Sequence, residues 1–183
     1  MKNDFAADNL DVQAFAQAGA TVQGEAPLRK FPRLLEETTG EGADRPVHWT
    51  AVGEQRTVGG APQAWLHLEG HTLLSMTCQR CLEPVDMPLS FERSFRFVAD
   101  EAAAEAEDDL VEEDLLVTSR DFPLRELVED ECLMALPVVP HHEVCPIDVP
   151  LSVADPDFEA ANAEKPHPFA ALAHMRPGEK KSL

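Results

Sequence analysis

Two thiols three positions apart, in the run Cys78-Gln79-Arg80-Cys81, are the residues of this chain best placed to do chemistry. Such a pair can grip one zinc ion from a single knuckle, cycle as a redox disulfide, or simply shape a tight loop. Zinc favours four tetrahedral sulfur and nitrogen ligands, so Cys78 and Cys81 make half a site. The run His141-His142-Glu143-Val144-Cys145 offers a second half, with one thiolate and two imidazoles. We take Cys78, Cys81, Cys145 and His142 as the candidate ligands of one structural zinc ion, with His141 the alternative fourth. A redox pair instead needs a low-pKa thiol at a helix amino terminus in a βαβ setting. Here the pair lies between two strand-like runs, which argues against redox catalysis. The plain alternative is a loop whose thiols only pack. Cys132 falls on a helical apolar stripe and reads as a packing thiol.

The elements around the pair read clearly. Leu66, Leu68, Thr72, Leu74, Met76 and Cys78 share one parity, and His67, Glu69, His71, Ser75 and Thr77 the other. That is the period of a strand, with Gly70 read as a bulge. Beyond the pair, Val85, Met87, Leu89, Phe91, Phe95 and Phe97 face one way, and only Arg93 interrupts them. Pro88 sits on the polar parity and suits a sheet edge or a bulge better than a central strand. Upstream, Val47, Trp49 and Ala51 alternate with polar residues as a further strand, and Gly59-Gly60-Ala61-Pro62 supplies a turn. Downstream, Leu124, Leu127, Val128, Cys132, Ala135 and Leu136 form a helical stripe that opens after Pro123 and stops at Pro137. The expected fold is α+β: an antiparallel sheet with a long hairpin tipped by the Cys-x-x-Cys, packed by a helix from the C-terminal half. Residues 28–39 read as a helix starting near Pro32, with a basic start and an acidic end that oppose its dipole. The expected organisation is a weakly structured segment 1–27, with short helical pieces such as Val12–Ala18, one domain over 28–150, and an extended tail 151–183. Within the tail, residues 169–175 read as a docking patch.

Charge narrows the functions. The 183 residues carry a net charge of −19, which repels a polyphosphate backbone and attracts basic proteins. Fourteen acidic residues between Asp100 and Glu131 face only Arg120 and Arg125. Residues 102–109 accordingly read as a mobile loop. No apolar run is long enough to span a bilayer, and the first residues lack the pattern of a secretory signal, so a cytoplasmic protein is expected. No Gly-rich phosphate loop, Gly-x-Ser-x-Gly or isolated carboxylate pair is present, and no catalytic residue is assigned. His67 and His71, four apart on one strand, would lie about 13 Å from each other, too far to share a metal.

Four separated stretches resemble the bacterial YceD family of large ribosomal RNA subunit accumulation proteins. They are Cys78-Gln79-Arg80-Cys81-Leu82-Glu83-Pro84-Val85, Leu127-Val128-Glu129-Asp130-Glu131, Ala135-Leu136-Pro137-Val138-Val139-Pro140-His141-His142 and Lys165-Pro166-His167-Pro168-Phe169-Ala170-Ala171-Leu172-Ala173. They run in family order from about Trp65 to Met175. The resemblance implies a non-catalytic role in synthesis, processing or accumulation of 23S ribosomal RNA and in large-subunit biogenesis. Its implied partners are the 23S precursor or large-subunit ribosomal proteins, met through protein contacts, with no membrane and no small-molecule substrate. The family's cysteine pattern resembles a zinc knuckle, and Cys78, Cys81 and Cys145 fall where it would place them. Two other readings stand beside this one: a small metal-dependent or redox enzyme acting on precursor RNA, and a zinc-stabilised protein adaptor.

Overall fold

The computed structural model describes residues 5–58, 60–150, 152, 153, 155, 157 and 169. The chain divides into two units, Met1–Pro146 and Ile147–Leu183. Most of the expected tail, and all of its docking patch except Phe169, lies outside the described residues.

The first unit is built on five strands in the order of the chain: β1 (Thr21–Pro27), β2 (Pro46–Val58), β3 (Ala61–Thr77), β4 (Pro84–Val98) and β5 (Asp114–Val117). The first four pair antiparallel, as expected, but β5 runs parallel to β4, so the sheet is mixed. Helices α1 (Val12–Ala18), α2 (Pro32–Glu36), α3 (Glu101–Glu107) and α4 (Leu124–Met134) complete the α+β fold. Period-two alternation puts Val47, Trp49, Ala51, Leu66, Leu68, Leu74, Met76, Leu89, Phe95 and Phe97 on one buried face. There they join Phe15 of α1, Leu34 of α2, and Leu124, Val128 and Cys132 of α4 in a single core.

Three expectations change. The β2–β3 and β3–β4 registers are unbroken, so Gly70 is no bulge. It lies opposite Phe91, whose ring approaches so closely that a Cβ at position 70 would sit 2.6 Å from it. The segment before residue 28 is more ordered than its composition suggests. Asp11 caps α1 through its side chain, Gly19 ends it with φ +54°, and β1 pairs with β2 along its full length. The stretch read as a mobile loop instead begins with α3, because Asp100 caps a run containing Ala102, Ala103, Ala104 and Ala106, the strongest helix formers.

The long hairpin is as the alternation implies, and its second strand is half an edge. Only Phe95–Val98 of β4 pairs with β5. Residues 84–94 therefore have no strand beyond them among the described residues, and Pro84 and Pro88 blunt that edge.

A candidate metal centre at the hairpin tip

Six residues join β3 to β4, and their backbone turns the two thiols towards one point. Cys78 N–H donates to the Glu83 carbonyl at 3.0 Å, extending the ladder by one rung. Leu82 N–H donates to the Cys78 carbonyl at 2.9 Å, which curls the chain back over Cys81. The curl puts Leu82 at φ +65°, a left-handed conformation costing an ordinary side chain about 1–2 kcal/mol. Leu82 is 73 % exposed, so burial does not offset that cost. The conformation is imposed by the knuckle.

The second half arrives from α4. Beyond Met134 the helix cannot continue through Pro137, and the chain runs on without regular structure to the knuckle. Gln79 N–H donates to the Pro140 carbonyl at 2.8 Å, pinning this segment against the hairpin tip. His142 follows, with its N–H 3.5 Å from Cys78 Sγ and its Nδ1 3.4 Å from Cys81 Sγ. Cys145 then closes the group. Ligand atoms of Cys78, Cys81, His142 and Cys145 all lie within 4.8 Å of one another.

These are the four residues singled out from the sequence. His141 is not among them, because its Nδ1 turns to the Val139 carbonyl at 2.9 Å. Cys132 is fully buried in α4, where burial first and then Glu129 and Glu131 push its thiol up to about 12. It is a packing residue. His67 binds Glu54 and Ser94 at 2.7 and 2.8 Å, while His71 stacks on His48 with ring centroids 4.9 Å apart.

The donor set suits a metal. A tetrahedral ion with bonds of 2.0–2.3 Å needs ligand atoms about 3.5–3.8 Å apart; Cys81 Sγ and His142 Nδ1 are 3.4 Å apart, and no pair in the group exceeds 4.8 Å. Burial pushes the Cys78 thiol up, yet N–H groups of Cys81, His142 and Arg80 directed at the sulfur override it and hold the pKa at about 5. Burial raises the Cys81 thiol, and the neighbouring Cys78 and Cys145 thiols raise it further. Three sulfurs crowded together resist becoming thiolates together unless a cation neutralises them. A Cys3His group of this geometry could bind a metal ion, and its four protein ligands would leave no open position for catalysis.

Alternation masks the burial of Arg96, and the helical stripe that of Glu129. Glu129 and Glu131 of α4 and Arg96 of β4 are each at least 94 % buried. Glu129 bonds the backbone of α2, Glu131 meets Arg93 at 3.4 Å, and Arg96 pairs with Glu107 and Glu113. One weak signal was available for the first: the basic start of α2 needs an external carboxylate to balance it.

The stretch from β3 through α4 to residue 176 matches a family model described as large ribosomal RNA subunit accumulation protein YceD, over residues 66–176. The chain belongs to the YceD family. It is similar to the large ribosomal RNA subunit accumulation protein YceD of Haemophilus influenzae, with 32 % identity over 119 residues that cover 63 % of this chain and 68 % of the relative. No solved structure matches the chain. All four residues of the Cys3His group fall inside the stretch matched to YceD, whereas α1, β1, α2 and β2 precede it. No helix among the described residues is long and apolar enough to cross a membrane.

Proposed function

We propose that this YceD-family chain is a non-catalytic factor in the accumulation of 23S ribosomal RNA and the biogenesis of the large ribosomal subunit, working in the cytoplasm. Family membership carries this reading. The strongly acidic surface favours action through basic protein partners, such as large-subunit ribosomal proteins, or on precursor RNA those proteins already cover.

Cys78, Cys81, His142 and Cys145 hold one structural zinc ion in this reading. The ion supplies a cross-link between the hairpin tip and the segment after α4, a tie that neither element makes by burial alone. The closed ligand set favours a structural role over metal-dependent RNA cleavage.

Depletion of the protein in its own cells tests the first part. A fall in 23S relative to 16S ribosomal RNA, with fewer mature large subunits in gradients, is the expected result; an unchanged profile refutes it. Zinc content of protein purified without chelator tests the second. About one zinc per chain is expected, and metal-free protein whose thiols all titrate refutes it.

A further inference from the structure

We propose that Arg56, Trp65 and Arg96 form a contact for single-stranded RNA on the outer face of the sheet, held closed by an acidic strap over residues 100–114. This rests on the ribosomal RNA role proposed above.

The three residues belong to one surface. Register places Glu54, Trp65 and Arg96 side by side across β2, β3 and β4, on the face opposite the core. The Arg56 guanidinium lies 4.2 Å from the Trp65 ring centroid. Trp65 is only 9 % exposed although its strand parity points it away from the core, and its Nε1 is buried with no hydrogen-bond partner. Two guanidiniums beside an indole with a free donor suit a phosphate backbone with a stacked base.

Carboxylates now occupy that surface. Arg96, 5 % exposed, sits between Glu107 of α3 at 2.8 Å and Glu113 at 2.9 Å. Glu54 holds Arg56 at 2.8 Å, and the charge of Glu113 also acts on Arg56. The strap therefore presents anions to the same guanidiniums that a phosphate would use.

The strap's own hold is slight. Neither α3 nor the short 3-10 turn after it, Asp108–Leu110, buries a single residue. Seven residues are too few for a stable isolated helix, and Glu107, Asp108 and Asp109 crowd the end that disfavours anions. Residues 100–114 carry nine acidic side chains and no base. Between its ends at β4 and β5, the ion pairs of the segment to the sheet are those of Glu107 and Glu113 with Arg96. A cleft of about 450 Å³, lined by Trp65, Ser94 and the strap residues Glu112, Glu113 and Asp114, already opens beside the row.

Closed, the protein's negative charge repels RNA. Moving residues 101–113 aside takes seven of those charges away from the strip. The test uses the full chain, a Glu107→Gln/Glu113→Gln variant and a fluorescent 12-nucleotide oligouridylate at low salt. Acrylamide quenching of tryptophan emission reports the strap, because Trp49 is in the core and a Trp65→Phe control assigns the Trp65 signal. Expected are stronger Trp65 quenching and binding tightened about tenfold, the size of one stacking contact. The logarithm of the binding constant should fall with a slope of about −1.4 against log salt, as for two phosphates on a single strand. Adding Arg56→Gln should weaken binding and cut that slope to about −0.7, one phosphate fewer. Raising salt on the unmodified chain should also increase Trp65 quenching, without any risk of misfolding.

Quenching that changes neither with the double variant nor with salt overturns the strap. An opened strap with no gain in RNA affinity overturns the RNA contact and points instead to a basic protein segment engaging the acidic residues. Failure of either leaves the 23S depletion phenotype untouched, so the two readings fall separately.

Discussion

Replacing Glu129 with Ala should be among the most damaging single changes in the molecule. Helix α2 has five residues, begins with Pro32, and has no side-chain cap of its own. Its cap comes from α4, 95 residues away in the sequence. One Glu129 oxygen accepts the N–H groups of Arg33 and Leu34 at 2.8 and 3.2 Å. The other accepts Arg33 Nε and Nη2, both at 3.1 Å. Hydrogen bonds to a charged acceptor are worth about 1.5–3 kcal/mol each, and a buried donor left unpaired costs a similar amount. Losing the two backbone bonds should cost about 3–5 kcal/mol once their overlap is allowed for. Urea unfolding of the full chain measures this, with Arg33→Ala as the control. Arg33 is half exposed, so its removal keeps the backbone cap and should cost far less. Gln at 129 keeps an acceptor oxygen and should fall between the two. If Glu129→Ala costs no more than Arg33→Ala, the cap is not what holds α2.

Gly24→Ala should destabilise by at least about 1–3 kcal/mol and alter the near-UV signal of Trp49, because a Cβ there would lie 2.1 Å from the indole. Burial raises the Glu131 carboxyl above its ordinary value, against the pull of Arg93. Its contribution to stability is therefore full below the unfolded pKa of about 4.3 and is lost as pH rises through the folded value. Glu131→Gln should change stability at pH 7 by less than about 1 kcal/mol and flatten the stability curve above pH ~4.3, read by thermal unfolding across pH. Arg56 and then His67 hold Glu54 at about 2, so its contribution is present above the unfolded value and should vanish as pH falls through about 2; Glu54→Gln should lack that acid-side loss. Chelator should lower the melting temperature of the purified chain, whereas Cys145→Ser should melt lower from the start and ignore the chelator.

The parts of this structure visible in the sequence are those set by local period. Alternation alone separated the two faces of β3 and β4, and the stripe from Leu124 to Cys132 marked the buried side of α4, because apolar burial acts on each side chain independently. The cysteine pair was equally plain, since a two-residue gap fixes the geometry of a knuckle. Choosing between adjacent histidines was harder. It depends on how the chain turns after Pro140, which the bond from Gln79 decides. Gly70 misleads for a related reason. A glycine in a strand looks like a break until the ring of Phe91, 21 residues away, is placed across it.

Charge is where local reading fails most consistently, and always in the same way. Glu129 and Arg96 sit at positions that period assigns to solvent, and Glu131 is a charge on the apolar stripe itself, yet each is buried against partners 11 to 96 residues distant. A charge can enter the interior only when its counterion arrives with it, so its burial belongs to a pair and not to a position. The acidic excess between residues 100 and 131 therefore divides into two populations. Glu107, Glu113, Glu129 and Glu131 are committed to arginines of the fold, while Glu101, Glu105, Asp108 and Asp109 are exposed and make no ion pair among the described residues. The same run of sequence thus anchors α2, anchors β4, and still carries enough unspent negative charge to govern what approaches the sheet.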